Sequence, residues 1–114
     1  ILLVDDDPIN QFIGKELLKV LGFSVDIASD GHEALTLLDK KTYNLVLLDI
    51  SMPGMDGYET TEKIRQKFSP SELPVVALTA HAVTGKRESC MNAGMNDYLT
   101  KPFDLNDLKN IIQK

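Results

Sequence analysis

The sequence predicts an α/β fold in which a doubly wound sheet of five parallel strands alternates with five helices. Short apolar runs, typical of strands buried on both faces, alternate along the 114 residues with longer segments whose apolar residues recur at helical spacing. No low-complexity stretch or internal linker divides the chain, so one domain covers residues 1–114. We expect strands near residues 1–5, 24–28, 44–49, 74–79 and 96–100, and helices near 8–21, 31–40, 57–67, 83–93 and 104–113.

The first strand and the first helix have clear sequence boundaries. The apolar run of residues 1–4 is followed by three aspartates, and the third of them, Asp7, stands at the N-cap position of the helix. Pro8 follows at the first helical position, and Gly22 stands just past the last helical residues. Asp7 is therefore interpreted as a structural residue.

Two later helices also begin at aspartates. Asp56 has Glu59 three residues further on, a pair that resembles a capping box. Asp104 precedes a segment with apolar residues at helical spacing, namely Leu105, Leu108, Ile111 and Ile112. The apolar runs 45–48 and 75–78 each predict a buried strand.

The composition indicates a soluble domain without a membrane span or a nucleic-acid surface. No apolar run approaches the roughly 20 residues that a spanning helix needs. With 17 acidic and 12 basic residues, the domain should repel nucleic-acid phosphates. One cysteine excludes an internal disulfide, and two histidines are too few for a structural zinc site. Because the chain opens inside a strand without Met, we expect a cytoplasmic domain cut from a longer protein, which could itself be membrane-anchored.

Three carboxylates follow two of the predicted strands. Asp5 and Asp6 come directly after the first strand, and Asp49 comes directly after the third. Ligands collect beyond the carboxyl ends of strands in open parallel sheets, so these side chains should share one crevice. Because Asp7 already supplies the helix cap, Asp5 and Asp6 are expected to have no local backbone role. Two carboxylates ~4 Å apart repel by roughly 4 kcal/mol at an effective dielectric of 20, so the cluster needs a proton, a lysine or a divalent cation.

Other polar residues follow neighbouring strands. Asp49 precedes the Pro/Gly-containing turn 50–57, so no helix begins there for it to cap. Thr79 follows the apolar run 75–78, and Lys101 follows the last strand. A hydroxyl and an ammonium at the same edge as the carboxylates suit an anion held beside a cation.

Four segments in this order resemble the receiver domain of two-component response regulators, across essentially the whole chain. They are Val4–Asp7, Leu48–Gly57, Ala77–Ala80 and Tyr98–Phe103. The resemblance implies a flavodoxin-like sheet with strand order 2-1-3-4-5 and helices on both faces. It also implies that the domain accepts a phosphoryl group from the phosphohistidine of a partner.

The resemblance assigns roles to individual residues. Asp49 would be the phosphoacceptor, and Mg²⁺ would be bound by Asp6, Asp49 and the backbone carbonyl of Ser51, with Asp5 acting through a water molecule. Lys101 and Thr79 would bind phosphoryl oxygens. Thr79 would also form a conformational switch together with Tyr98.

The expected partner is a histidine phosphotransfer domain or the helix pair of a histidine kinase. It would dock on the first helix and on the loop that holds Pro102 and Phe103. The apolar arc of this helix is wider than one buried face, so Ile9 and Phe12 at its edge should stay exposed beside the acidic crevice. The inward stripe is predicted to comprise Ile13, Leu17 and Leu21.

The segments Asp5–Asn10 and Ala77–Ala82 further resemble the C-terminal receivers of hybrid sensor histidine kinases. The alternative is a stand-alone response regulator or the receiver of a transcription factor. As an isolated domain it is expected to catalyse only its own phosphorylation and dephosphorylation, and so not to be an enzyme.

Three other functions share parts of this pattern. A flavodoxin-type electron carrier would place its cofactor phosphate where this chain has three carboxylates, which would repel it. A haloacid-dehalogenase-type phosphatase also uses an aspartyl nucleophile with Mg²⁺, but it has Asp-x-Asp where this chain has Ser51. A receiver-like module that never accepts phosphate would lack one of the acidic residues, the hydroxyl or the lysine, all of which are present.

Overall fold

A parallel five-stranded sheet forms the centre of the molecule. The computed structural model describes residues 1–50, 56–79, 88, 91–100 and 104–112. The strands are β1 (Leu2–Val4), β2 (Asp26–Ala28), β3 (Val46–Asp49), β4 (Val75–Thr79) and β5 (Asp97–Thr100). Their order in the sheet is β2-β1-β3-β4-β5, and every neighbouring pair is parallel. The predicted fold class and strand order are confirmed.

Four helices of the described part connect or follow these strands. They are α1 (Pro8–Val20), α2 (Gly31–Lys40), α3 (Gly57–Arg65) and α4 (Leu105–Ile112). Of the helix predicted near 83–93, the described residues 88, 91 and 92 are helical, and most of the segment lies outside the described residues. The bounds of the other elements agree with the predictions to within two residues. Among the residues described here, no helix is long and apolar enough to cross a membrane.

Aspartate side chains cap the amino ends of all four helices. The carboxylates of Asp7, Asp30 and Asp56 accept the backbone N–H of Ile9, Glu33 and Glu59, respectively. Asp104 and Asp107 cap α4 reciprocally, each carboxylate accepting the backbone N–H of the other. The caps predicted at residues 7, 56 and 104 are therefore confirmed, and each satisfies a backbone donor that the helix leaves unpaired.

Each strand alternates its side chains between two buried layers. One layer lies between the sheet and the α1 and α4 side, and it contains Leu3, Leu18, Leu47, Val76, Leu78 and Leu108. The other lies on the α2 and α3 side, and it contains Val4, Ala34, Leu48, Ile64, Val75 and Ala77. Because both faces of the central strands are covered, their sequences are continuously apolar rather than alternating.

The orientation of α1 differs from the prediction at one position. Ile13 was assigned to the inward stripe, yet its side chain is 47% exposed, while Gly14 and Leu18 are buried. The cause is a close approach of α1 to β1, because a Cβ on Gly14 would lie 2.8 Å from Leu3 Cδ2. The helix turns its smallest residue toward the sheet, and Ile13 is rotated toward solvent.

Arg65 ties the carboxyl end of α3 to the segment that leads into β5. Its guanidinium donates to the carbonyl oxygens of Gly94 (2.7 Å) and Leu73 (2.8 Å) and to Asn96 Oδ1 (2.8 Å). Asn96 Oδ1 also accepts the backbone N–H of Val75 at the start of β4. Burial lowers the pKa of the Arg65 guanidinium, which nonetheless stays charged because its ordinary value is so high. One side chain therefore sets where β4 and β5 begin.

Replacing this guanidinium should cost stability. We expect Arg65→Met to lower the free energy of unfolding by about 2–3 kcal/mol, because several oxygens lose a charged donor. The midpoint of thermal unfolding should fall by roughly 10 °C, as measured by circular dichroism. Lys63→Met, in the exposed last turn of the same helix, is the matched control. Equal midpoints for the two variants would contradict this role of Arg65.

Candidate functional site

Three carboxylates converge where β1 and β3 end. Val4 pairs with Leu48 in the parallel register, so Asp5 and Asp49 are the next residues along two adjacent strands. Oxygens from the side chains of Asp5, Asp6 and Asp49 all lie within 4.8 Å of one another. The sheet thus brings residues that are more than forty positions apart in the sequence into one cluster.

Burial differs sharply within this acidic cluster. Asp5 and Asp49 are almost completely buried, whereas Asp6 is exposed. Burial removes water that would otherwise screen the negative charges, so their repulsion is stronger than at an open surface. A cation can approach the cluster from the exposed side, where Asp6 lies.

The donor set of the acidic cluster fits a hard divalent cation. All three side chains offer carboxylate oxygens, which Mg²⁺ and Ca²⁺ prefer, and none offers the nitrogen or sulfur typical of zinc sites. Within the described residues, no other three potential metal-binding side chains come as close together. The cluster could therefore bind a metal ion.

Asp5 also has a structural role, which the sequence analysis excluded. Its Oδ1 accepts the backbone N–H of Asp7 at 3.0 Å, and its own N–H donates to the carbonyl of Ala28 at 3.1 Å. The expectation that Asp5 lacks a local backbone role was therefore wrong. The helix cap at Asp7 satisfies the amide of Ile9 but leaves that of Asp7 itself, and Asp5 is the carboxylate within reach.

Gln11 contacts the acidic corner, by which we mean residues 5–7 between the end of β1 and the start of α1. This contact was not predicted from the sequence. Its Nε2 donates to the backbone carbonyl of Asp5 at 2.6 Å and lies 3.3 Å from Ser29 Oγ. No motif signals this contact, because glutamine is an ordinary helix residue and its partners belong to two other segments of the chain.

A tight backbone contact joins Ile50, directly after β3, to Gly57 at the start of α3. A Cβ on Gly57 would lie 2.5 Å from the Cα of Ile50, closer than any side chain could approach. The Gly57 N–H also points to the carbonyl of Ile50 at 3.4 Å, and the Ile50 N–H donates to the carbonyl of Leu78. Glycine at the first position of α3 lets this helix begin directly beside the end of β3.

Thr79 and Tyr98 lie on neighbouring strands and on the same face of the sheet. Thr79 pairs with Thr100 and Ala77 pairs with Tyr98, so the threonine and the tyrosine are diagonal neighbours. Thr79 is buried at the end of β4, and the partly buried Tyr98 packs on the core layer beneath α2 and α3. Diagonal neighbours on one face of a sheet are typically ~7–8 Å apart, within reach of a long aromatic side chain.

The exposed apolar side chains of α1 form a stripe, here called the α1 stripe. Ile9 (68% exposed) and Phe12 (65%) lie next to the acidic corner, as predicted, and Ile13 continues them. Val20 (71%) extends the same line to the far end of the helix. Such a run of exposed apolar residues on one helix is typical of an interaction surface.

Several predicted site residues lie outside the described part of the chain. They are Ser51, Lys101, Pro102 and Phe103. Their assignments remain predictions.

The fold and the acidic cluster define the class of protein. The family model of the response regulator receiver domain matches residues 1–113. The chain therefore belongs to the response regulator receiver domain family.

The chain is also similar to part of a sensor histidine kinase. It is 40% identical over 117 residues to the sensor histidine kinase GacS of Pseudomonas protegens, covering 100% of this chain but 13% of that protein. The chain thus spans only a small part of the length of this relative.

Two solved structures are also similar. The receiver domain of sensor histidine kinase PA1611 from Pseudomonas aeruginosa PAO1, with a magnesium ion coordinated in its active site cleft, is 42% identical with a TM-score of 0.88, over 98% of this chain and 92% of that one. The co-crystal structure of the Saccharomyces cerevisiae histidine phosphotransfer protein Ypd1 with the receiver domain of Ssk1 matches at 31% identity and a TM-score of 0.87, over 98% of this chain and 84% of that one.

Proposed function

We propose that Asp49 is the phosphoacceptor of a two-component phosphorelay. The observation that carries this proposal is the convergence of Asp5, Asp6 and Asp49 at one edge of the sheet, with their oxygens within 4.8 Å. Asp49 is the last residue of the central strand β3, so the hydrogen bonds of the sheet hold its backbone in place. The resemblance of Leu48–Gly57 to receiver domains assigns the phosphoacceptor role to Asp49 rather than to Asp5 or Asp6.

The transfer exchanges one bond to phosphorus for another. A side-chain oxygen of Asp49 attacks the phosphorus of the partner's phosphohistidine and forms the P–O bond of an aspartyl phosphate. The N–P bond breaks, and the imidazole nitrogen keeps the bonding electron pair and takes up a proton. The resemblance assigns Thr79 and Lys101 to the phosphoryl oxygens, where donors already in place would stabilise the charge of the transition state.

The acidic cluster is proposed to hold Mg²⁺. Asp6, Asp49 and the backbone carbonyl of Ser51 would hold the ion, with Asp5 acting through a water molecule, a mixed shell that suits Mg²⁺. When bound, the ion offsets the repulsion between the carboxylates and the incoming phosphoryl group. The magnesium in the similar PA1611 receiver supports this assignment.

Labelling by a small phosphodonor tests the phosphoacceptor directly. With acetyl phosphate and Mg²⁺, we expect the 114-residue chain to gain one phosphoryl group by intact mass, since transfer needs no partner. The group should be removed by hydroxylamine, as an acyl phosphate is, and omission of Mg²⁺ should prevent labelling.

Asp49→Asn should abolish this labelling, while Asp7→Asn should retain it, because Asp7 caps α1 and asparagine can do the same. Hydroxylamine-sensitive labelling of Asp49→Asn would show that another residue accepts the phosphoryl group. Steady turnover of phosphate esters by the parent chain would favour the phosphatase alternative.

Thr79 and Tyr98 are proposed to form the switch. Phosphorylation would draw the Thr79 hydroxyl toward the phosphoryl group and allow the Tyr98 ring to turn inward. The diagonal relation of the two residues supports this coupling, because Tyr98 packs on the same face to which Thr79 belongs. The output would be a changed docking surface near β5.

Thr79→Ala should separate phosphorylation from this response. We expect some labelling of Asp49 but a loss of the phosphorylation-dependent NMR shifts at Tyr98 and its strand neighbours, because alanine has no hydroxyl to be drawn away. Thr100→Ala, on the paired position of β5, is the matched control and should keep the shifts. If Thr79→Ala shows the shifts of the parent chain, the switch does not depend on this hydroxyl.

The phosphodonor is proposed to be a four-helix histidine phosphotransfer domain or a kinase helix pair that docks on Ile9 and Phe12, at one end of the α1 stripe, and on Pro102 and Phe103. The end of the stripe at Ile9 and Phe12 adjoins the acidic corner, where a phosphohistidine must arrive. The complex of Ypd1 with the Ssk1 receiver, which is similar to this chain, supports this class of partner.

Phe12→Asp should slow transfer from such a protein donor by more than tenfold, equivalent to over ~1.4 kcal/mol, because a buried contact is replaced by a charge. Labelling by acetyl phosphate and the unfolding midpoint should be unchanged, since Phe12 is 65% exposed in the free domain. Val20→Asp, on the same helix but far from the acidic corner, is the control and should change transfer by less than twofold. Equal rates for the parent chain and Phe12→Asp would place the docking surface elsewhere.

The longer protein is proposed to be a hybrid sensor histidine kinase, with this receiver on the cytoplasmic side. The small share of GacS that the chain covers supports a domain within a large kinase. In that setting the receiver passes phosphate on and is not itself an enzyme acting on other molecules. A stand-alone regulator or a transcription factor remains the alternative, and the domains that flank this sequence in the gene distinguish them.

A further inference from the structure

Gln11 links three segments at the acidic corner. It lies in the first turns of α1, and its side-chain amide reaches back to the carbonyl of Asp5 at 2.6 Å. The same nitrogen lies 3.3 Å from Ser29 Oγ, in the loop between β2 and α2. The side chain therefore bridges the end of β1 to the neighbouring strand-to-helix loop, just behind the acidic cluster.

The carbonyl that Gln11 binds belongs to the peptide between Asp5 and Asp6. A peptide unit is planar, so holding its oxygen also fixes the direction of the following N–H and Cα. Asp6 is exposed and has little packing to orient its side chain, so the backbone position sets where its carboxylate can reach. Fixing this peptide keeps Asp6 within reach of Asp49.

Asp5 also makes two hydrogen bonds to backbone groups. Its N–H donates to the Ala28 carbonyl, and its Oδ1 accepts the Asp7 N–H. These two hydrogen bonds fix the backbone N–H and the side chain of Asp5. Gln11 supplies the side-chain hydrogen bond that acts on the peptide leading to Asp6.

We propose that Gln11 is a positioning residue for the metal site: its amide holds the Asp5–Asp6 peptide so that the carboxylate of Asp6 faces those of Asp5 and Asp49. This inference rests on the proposed function, because it assigns Gln11 to the Mg²⁺ site of the phosphoacceptor. Residues that orient metal ligands in this way commonly change metal affinity by 10- to 100-fold when removed. Gln11 acts through a backbone carbonyl, so we expect an effect near the lower limit.

The test compares Mg²⁺ affinity in variants of the 114-residue chain, measured without phosphodonor by NMR titration. Gln11→Met keeps the length and helix propensity of the side chain but removes its donor. Mg²⁺ binding should weaken by about tenfold, while the unfolding midpoint should fall by only a few degrees because one hydrogen bond is lost. The carbonyl ¹³C resonance of Asp5 should shift in the metal-free protein, a signature that a loss of helix stability alone would not produce.

Two controls separate the possible outcomes. Ser29→Ala removes the second contact of Gln11 and should change Mg²⁺ affinity by less than twofold. Asp6→Ala should lose most of the affinity if the acidic cluster is the metal site. If Gln11→Met binds Mg²⁺ like the parent chain while Asp6→Ala does not, the role of Gln11 is overturned and the metal site stands. If Asp6→Ala and the parent chain bind equally, the metal site itself is overturned.

Discussion

Repulsion between the carboxylates of Asp5, Asp6 and Asp49 is the constraint on which the rest of this edge of the sheet depends. The strands β1 and β3 are adjacent and parallel, so their ends cannot separate without breaking the central hydrogen bonds of the sheet. The buried positions of Asp5 and Asp49 increase the cost of leaving the charges uncompensated. A cation bound between the carboxylates would offset this repulsion.

The surroundings of the acidic cluster hold its backbone in place. The contact between Gly57 and Ile50 holds the residue after β3 against the start of α3, and Gln11 and the Asp7 amide hold the residues after β1. Because these contacts already hold the backbone of Asp5 and Ile50, binding of a ligand costs little conformational entropy there. Such preorganisation is what phosphoryl transfer requires, since most of its catalysis is positioning and charge stabilisation.

The two faces of the sheet carry different candidate residues. Asp5 and Asp49 continue the alternation of Leu3 and Leu47, on the side of α1, where the α1 stripe is exposed. Thr79 continues the alternation of Ala77 on the opposite face, where Tyr98 packs. The proposed docking surface and the proposed switch therefore lie on opposite faces, and Arg65 anchors the other end of β4 and β5.

The strands and helix caps were determined by the local sequence, because apolar runs, aspartate caps and Gly22 act within a few residues of one another. The meeting of Asp5, Asp6 and Asp49 could also be predicted, since parallel strands bring their carboxyl ends to one edge. Only the tertiary structure decided that Ile13 faces outward, that Asp5 binds the Asp7 amide and that Gln11 holds the Asp5 carbonyl. The orientation of Ile13 depends on how closely α1 approaches β1, where Gly14 meets Leu3, and helical periodicity contains no information on that distance.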